Sequence, residues 1–209
     1  TFFSEVLPLS NCQSKASVGA SRDLIKVTNF LSAIGLEWQW KQGAAGFVPG
    51  VDILDGRLLV NPLAHPSSLL HEAGHLACLP GEFRKQAQRN ISRVQRLMLN
   101  SIDFSDPDGE LPRAALQCSD PEATAWAWAA GVHIGLAPKD IIQDHEYQHS
   151  GAWIRLQLQH RQYAGINGLA HAGFCAVRPG AYAAARELEA FPKLSRWLQK
   201  DFSSAPTPE

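Results

Sequence analysis

The chain has 209 residues, a formal net charge of −1, 45% hydrophobic and 19% charged residues. It can bury one globular core, and it lacks the broad basic excess on which an extended nucleic-acid surface depends. No apolar run approaches the ~18–20 residues that span a bilayer, and Thr1-Phe2-Phe3-Ser4-Glu5 lacks the basic-then-apolar form of a secretory signal.

The four cysteines, Cys12, Cys78, Cys118 and Cys175, form no C-x-x-C pair and read as free thiols of a reducing cytoplasm. Cys78 and Cys118 lie near candidate metal ligands, but each also reads as a small buried hydrophobe. The cytoplasmic expectation stands beside one alternative, since the chain opens on Thr1 rather than Met and that leaves room for a removed leader.

Residues 1–20 show no sustained period and are expected to wrap the domain irregularly. From Ser21, the spacing of Leu24, Ile25, Val27, Phe30, Leu31 and Ile34 predicts an amphipathic helix ending near Gly35. Phe47 to Val60 holds two strand-like runs joined by Asp55-Gly56, the dipeptide favoured in two-residue type I′ turns. This hairpin either caps the core or offers an edge along which a peptide substrate is held as an added strand.

After Asn61-Pro62 and His65-Pro66, a helix is expected from Pro66 to about Leu79, stopped by Pro80-Gly81. Gly74 inside it weakens the helix by about 1 kcal/mol relative to Ala, which predicts a close packing partner there. Phe83 to Asn100 reads as one amphipathic helix whose basic residues, Arg84, Lys85, Arg89, Arg93 and Arg96, form a solvated face.

Ser119-Asp120-Pro121-Glu122 opens an Ala-rich helix to about Gly131, and from Pro138 a short helix over Lys139–Asp144 and then a longer one through Trp153, Leu156 and Leu158 follow. Gly165-Ile166-Asn167-Gly168 reads as a turn. A last helix from Tyr182 to Asp201 is expected to break at Phe191-Pro192, and 203–209 to be disordered. The whole reads as one domain over 1–202, with a core at about 21–135 and a helical C-terminal extension over 136–202.

The chemistry-bearing stretch is His71-Glu72-Ala73-Gly74-His75, an H-E-x-x-H pattern. On a helix, residues four apart share one face, so the two imidazoles can converge on a metal while Glu72 leans over its open position. Zinc is the expected metal. A third protein ligand is needed, and Glu122 is the candidate, projecting from the first turn of a rigid helix. Ser119-x-x-Glu122 equally matches a capping box, in which the glutamate bonds the N-cap amide instead.

The chain holds a second copy of the pattern, His145-Glu146-Tyr147-Gln148-His149. Its polar flanks, bulky Tyr147 and closing Gly151 predict a helix junction, with His145 or His149 lining the cleft or donating to an oxyanion. His171 and Tyr163 are further candidates for that contact, each with a plain alternative as a surface or core-satisfied side chain. His65 and His133 fall outside ligand reach of the motif.

His71-Glu72-Ala73-Gly74-His75-Leu76-Ala77, with Glu122-Ala123-Thr124-Ala125-Trp126-Ala127 about fifty residues later, resembles the ImmA/IrrE-like minimal gluzincin metallopeptidases over roughly Val51 to Ala130. The resemblance implies an α+β, mainly helical zincin-like core with a small antiparallel sheet or hairpin packed on the motif helix. It implies Zn²⁺ held by His71, His75 and Glu122, with Glu72 as general base. The implied substrate is a protein or peptide, with transcriptional regulators among the candidates. Trp126, Trp128 and the His-rich C-terminal third depart from the pattern. Two other functions fit the same residues: a metal-stabilised interaction module without hydrolysis, and a zinc amidohydrolase acting on a non-protein amide.

Overall fold

A computed structural model describes residues 19–202. The expectations for 203–209, for Cys12 and for most of 1–20 lie outside the described residues. Among the described residues, eleven helical segments and three short strands make an α+β fold.

Helix α1, Arg22–Ala33, is capped by Ser21, whose hydroxyl accepts from the Leu24 amide. It ends where Gly35 takes φ +80° and the Leu36 amide reaches back to the Leu31 carbonyl at 2.9 Å. A Cβ at that φ is disfavoured, which is why glycine stops the helix.

Strand β1 (Trp38–Trp40) pairs in parallel with β3 (Arg57–Val60), and β2 (Val51–Leu54) pairs with β3 antiparallel. The Asp55-Gly56 turn forms as expected, with φ +50° and +72° at the two positions. The sheet is mixed, in the order β1-β3-β2, rather than the antiparallel hairpin alone. Three residues of β1 are too few to show a period in sequence.

Helix α2, Pro66–Cys78, is the centre of the molecule, and α6, Asp120–His133, lies directly against it. A Cβ at Gly74 would collide with the Ala123 carbonyl, so the glycine sets how close the two helices come. Around this pair Leu69, Leu70, Leu76, Trp126 and Phe174 are essentially inaccessible. Each contributes about 1.5–3 kcal/mol by leaving water.

The single helix expected over Phe83–Asn100 is instead α3 (Gly81–Arg84) and α4 (Ile91–Ser101). The link between them docks on the hairpin turn: Ala87 is fully buried and its carbonyl accepts from the Gly56 amide at 2.9 Å. Nor are the basic residues uniformly solvated. Arg84 donates to the carbonyls of Leu76, Leu79 and Gln199, satisfying the open end of α2, and Arg89 forks onto Asp52.

Further on lie α5 (Glu110–Leu116), α7 (Pro138–Ile141), the short turn α8 (Glu146–His149), α9 (Gly151–Gln159), α10 (Ala164–His171) and α11 (Ala181–Ala185). Gly165-Ile166-Asn167-Gly168 is not a turn but the body of α10. Its glycines are there for proximity, since a Cβ at Gly165 would strike the Pro121 carbonyl and one at Gly168 the Glu122 carboxylate. The long last helix is reduced to α11. Residues 186–202 run irregularly and are held by the Ala176 amide donating to the Glu189 carbonyl, by the Phe191 and Gln199 amides donating to the Ala176 and Ala77 carbonyls, and by the Trp126 indole donating to the Trp197 carbonyl at 2.9 Å.

Candidate metal centre

Three side chains converge where α2 passes the start of α6. His71 Nε2 and His75 Nε2 stand 3.2 Å apart, and Asp120 Oδ1 lies 3.0 Å from the second and 3.7 Å from the first. Among the described residues this is the one His/Cys/Asp/Glu group arranged to hold a metal ion. Three ligands in tetrahedral array at about 2.0–2.1 Å from an ion would stand about 3.3–3.4 Å from one another. The observed triangle has that size, and its donors are two imidazole nitrogens and a carboxylate oxygen.

The helix explains the pair of histidines, and burial explains their chemistry. His71 has its pKa lowered to about 4, mainly by burial and then by the charge of His75, so it is a neutral lone-pair donor at pH 7. The hydrogen bond from His75 holds the Asp120 carboxyl below the usual carboxylate range.

Glu122, the third ligand expected from sequence, is not in the triangle. Its Oε2 accepts from the Ser119 amide at 3.1 Å and from the Ser119 hydroxyl at 2.6 Å, while Gly168 of α10 closes over it. Of the two readings of Ser119-x-x-Glu122, the geometry follows the capping one. With Glu122 turned back to the cap, Asp120, two residues earlier, faces the histidines. The signal was in the sequence: an S-x-x-E cap already occupies its glutamate, leaving the neighbouring aspartate free.

Glu72 is 4% exposed and shares a cavity with His75 and Asp120. Burial, ahead of the charges of its neighbours, pushes its carboxyl up to about 7.

The second H-E-x-x-H copy does not form a ligand helix. Tyr147, Gln148 and His149 have φ of +55°, +58° and +66°, a left-handed turn in which the four-residue spacing no longer stacks the histidines on one face. Each non-glycine residue held so costs on the order of 1–3 kcal/mol, and the turn is pinned from both sides. Glu146 accepts from the Ser67 hydroxyl at 2.6 Å and from the Gln143 amide at 2.8 Å, tying it to the start of α2. The consequence is the placement of Tyr147, whose hydroxyl lies 3.2 Å from His71 Nδ1 and 2.9 Å from Thr124 Oγ1.

In sequence Tyr147 signals only bulk that disfavours a metal helix; its contact with His71 is visible only in the fold. His145 lines the larger cavity beside it, and His149 is exposed. Tyr163 is half-buried near Thr124, and burial raises its phenol. His171 lies on a separate cavity away from the centre, and His133 packs on Phe30 and Trp197. Cys78 and Cys118 stand outside the triangle. Burial pushes both thiols up, that of Cys118 to about 12, so neither offers a thiolate.

Space opens on both sides of the triangle. A cavity of about 950 Å³ runs past His71 and Tyr147 along Ile141 and Ile142, and one of about 450 Å³ holds Glu72, His75, Arg89 and Gln95. Asp120 and Phe47, the latter 85% exposed, belong to the walls of both.

No family model matches the chain, and no curated protein or solved structure matches it either. No helix among the described residues is long and apolar enough to cross a membrane.

Proposed function

We propose that the protein is a zinc-dependent hydrolase of peptide bonds, with His71, His75 and Asp120 as metal ligands and Glu72 as the general base. The observation that carries the reading is the ligand triangle of 3.0, 3.2 and 3.7 Å with a buried carboxyl, Glu72, on the same cavity wall. An aspartate in the third place departs from the gluzincin set. The resemblance to ImmA/IrrE-like peptidases therefore supports the reading at His71, Glu72, Gly74 and His75 only.

Zinc in this triangle would supply a Lewis acid that polarises a carbonyl and brings the pKa of a water toward 7. The protein's own groups do the rest. Glu72 removes the proton of the attacking water and passes it to the leaving amine. Tyr147 orients the ring of His71: with Nε2 keeping its lone pair for the metal, the ring proton sits on Nδ1 and is donated to the phenol oxygen 3.2 Å away, which leaves the phenol proton for Thr124 Oγ1 at 2.9 Å. His75 has no such partner at its buried Nδ1.

Cavities on both sides of the centre suit an extended chain that passes across it, which favours a protein or peptide over a small amide as substrate. The test is Glu72→Gln. It should retain one zinc per chain while hydrolysis of an unfolded protein substrate falls by about 10²–10⁴-fold. Full hydrolysis in that variant, or no zinc in the wild type, overturns the proposal; intact zinc with no hydrolysis in the wild type would instead support the non-hydrolytic module.

A further inference from the structure

A cavity of about 220 Å³ lies apart from the cleft and shares no lining residue with it. Its walls carry Arg113 from α5, Arg186 after α11, and Arg196 and Lys200 from the irregular C-terminal run, against one carboxylate, Glu110. That carboxylate is taken, because Lys200 Nζ reaches its two oxygens at 3.1 and 3.3 Å.

The three guanidinium groups have no ion-pair partner among the described residues. Arg196 donates one Nη to the Ala172 carbonyl at 2.8 Å and lies over the Phe174 ring, and its Nε is buried without an acceptor. The Nε of Arg113 is likewise buried and unsatisfied. Arg186 lies over the Tyr182 ring, 5.7 Å from its centre. Burial disfavours protonated Arg196, the charge of Glu110 partly offsets that, and the nearby charge of Arg113 adds to it.

Arg113 and Arg196 are half-buried while Arg186 is exposed; holding the first two side by side with open Nε donors and one shared carboxylate is costly unless a further negative group answers them. The fold nevertheless protects the arrangement. Gly173, at φ +81°, leaves the space that Arg196 fills, and a Cβ there would collide with its Nη2.

We propose that this cavity is a binding site for a small phosphate-class oxyanion, either free phosphate or the phosphate group of a small ester. Guanidinium forks match phosphate oxygens in pairs, and the volume suits one such group with a few waters rather than a nucleotide or a polymer. The site is independent of the metal centre, and its failure would leave the hydrolase reading untouched.

The test is calorimetric titration of the full, zinc-loaded chain with inorganic phosphate and, separately, glycerol 3-phosphate, at ionic strength held constant with chloride. Saturable binding of one phosphate per chain is expected, weakened at least tenfold by Arg113→Gln and by Arg186→Gln, and retained in Asp120→Asn. Tighter binding of the ester than of phosphate identifies an ester as the ligand; the reverse identifies the free ion. The two arginine variants sit on separate elements, and Tm without phosphate shows which are folded. The proposal is overturned by a response that only follows ionic strength, by unchanged affinity in a folded arginine variant, by loss of binding in Asp120→Asn, or by acetate binding more tightly than phosphate.

Discussion

The phenol of Tyr147 lies 3.2 Å from Nδ1 of His71, across 76 residues of chain. A metal-ligating histidine is oriented by what its other nitrogen bonds, and losing that partner typically lowers metal affinity about 10–100-fold. Tyr147→Phe should therefore weaken zinc binding by that factor in a chelator competition while leaving the fold intact. Unchanged affinity would remove Tyr147 from the site.

Asp120 and Glu122 separate two roles that lie one helical half-turn apart. Asp120→Asn should lose the metal, read by elemental analysis, with little change in the Tm of the metal-free protein. Glu122→Ala should keep the metal and lower stability by about 0.5–2 kcal/mol, the usual cost of a lost helix cap. Metal loss in the second variant alone would restore Glu122 as the ligand.

Gly168→Ala places a methyl group against the Glu122 carboxylate. Overpacking of this kind costs about 1–3 kcal/mol, and urea unfolding should show it as a lower midpoint with an unchanged slope. Adding Glu122→Ala to the same chain should recover part of the loss, because the two changes meet at one contact.

The Asp52 carboxyl is held below its ordinary value by the Arg89 fork, at 2.6 and 3.0 Å. A depressed folded-state pKa means stability that is present above the unfolded value near 3.8 and is lost as pH falls through the lower folded value. Wild type should thus lose stability below about pH 4 more steeply than Asp52→Asn. Urea midpoints from pH 2.5 to pH 7 check this. Since Arg89 is 65% exposed, added salt should shrink the difference.

What could be seen in sequence was whatever local pattern determines. Asp55-Gly56 and the Pro66-led helix needed only turn chemistry and a period, and both stand as expected. Glu122 was ambiguous because one residue satisfied two local rules, and only the approach of α10 through Gly165 and Gly168 decides between them. Those glycines read as punctuation when their purpose is contact. The second H-E-x-x-H copy reads as a helix junction, and its spacing has chemical meaning only on a right-handed helix, which Tyr147 to His149 leave; what no local pattern shows is that this turn brings Tyr147 to His71. The break near Ala87 and the irregular path after α11 are likewise set by docking onto distant elements, which no window of neighbouring residues contains.

The amide of Gln199 donates to the Ala77 carbonyl at 2.9 Å, and Arg84 joins the Gln199 carbonyl to the end of the same helix. The final stretch of described backbone is thus a clasp on the helix that carries His71 and His75. Shortening the protein to its motif-bearing half would open the carbonyls at the foot of that helix and strip Trp197 from Trp126. A minimal version for engineering must keep residues through at least 200, and a fusion partner is better attached beyond them than in their place.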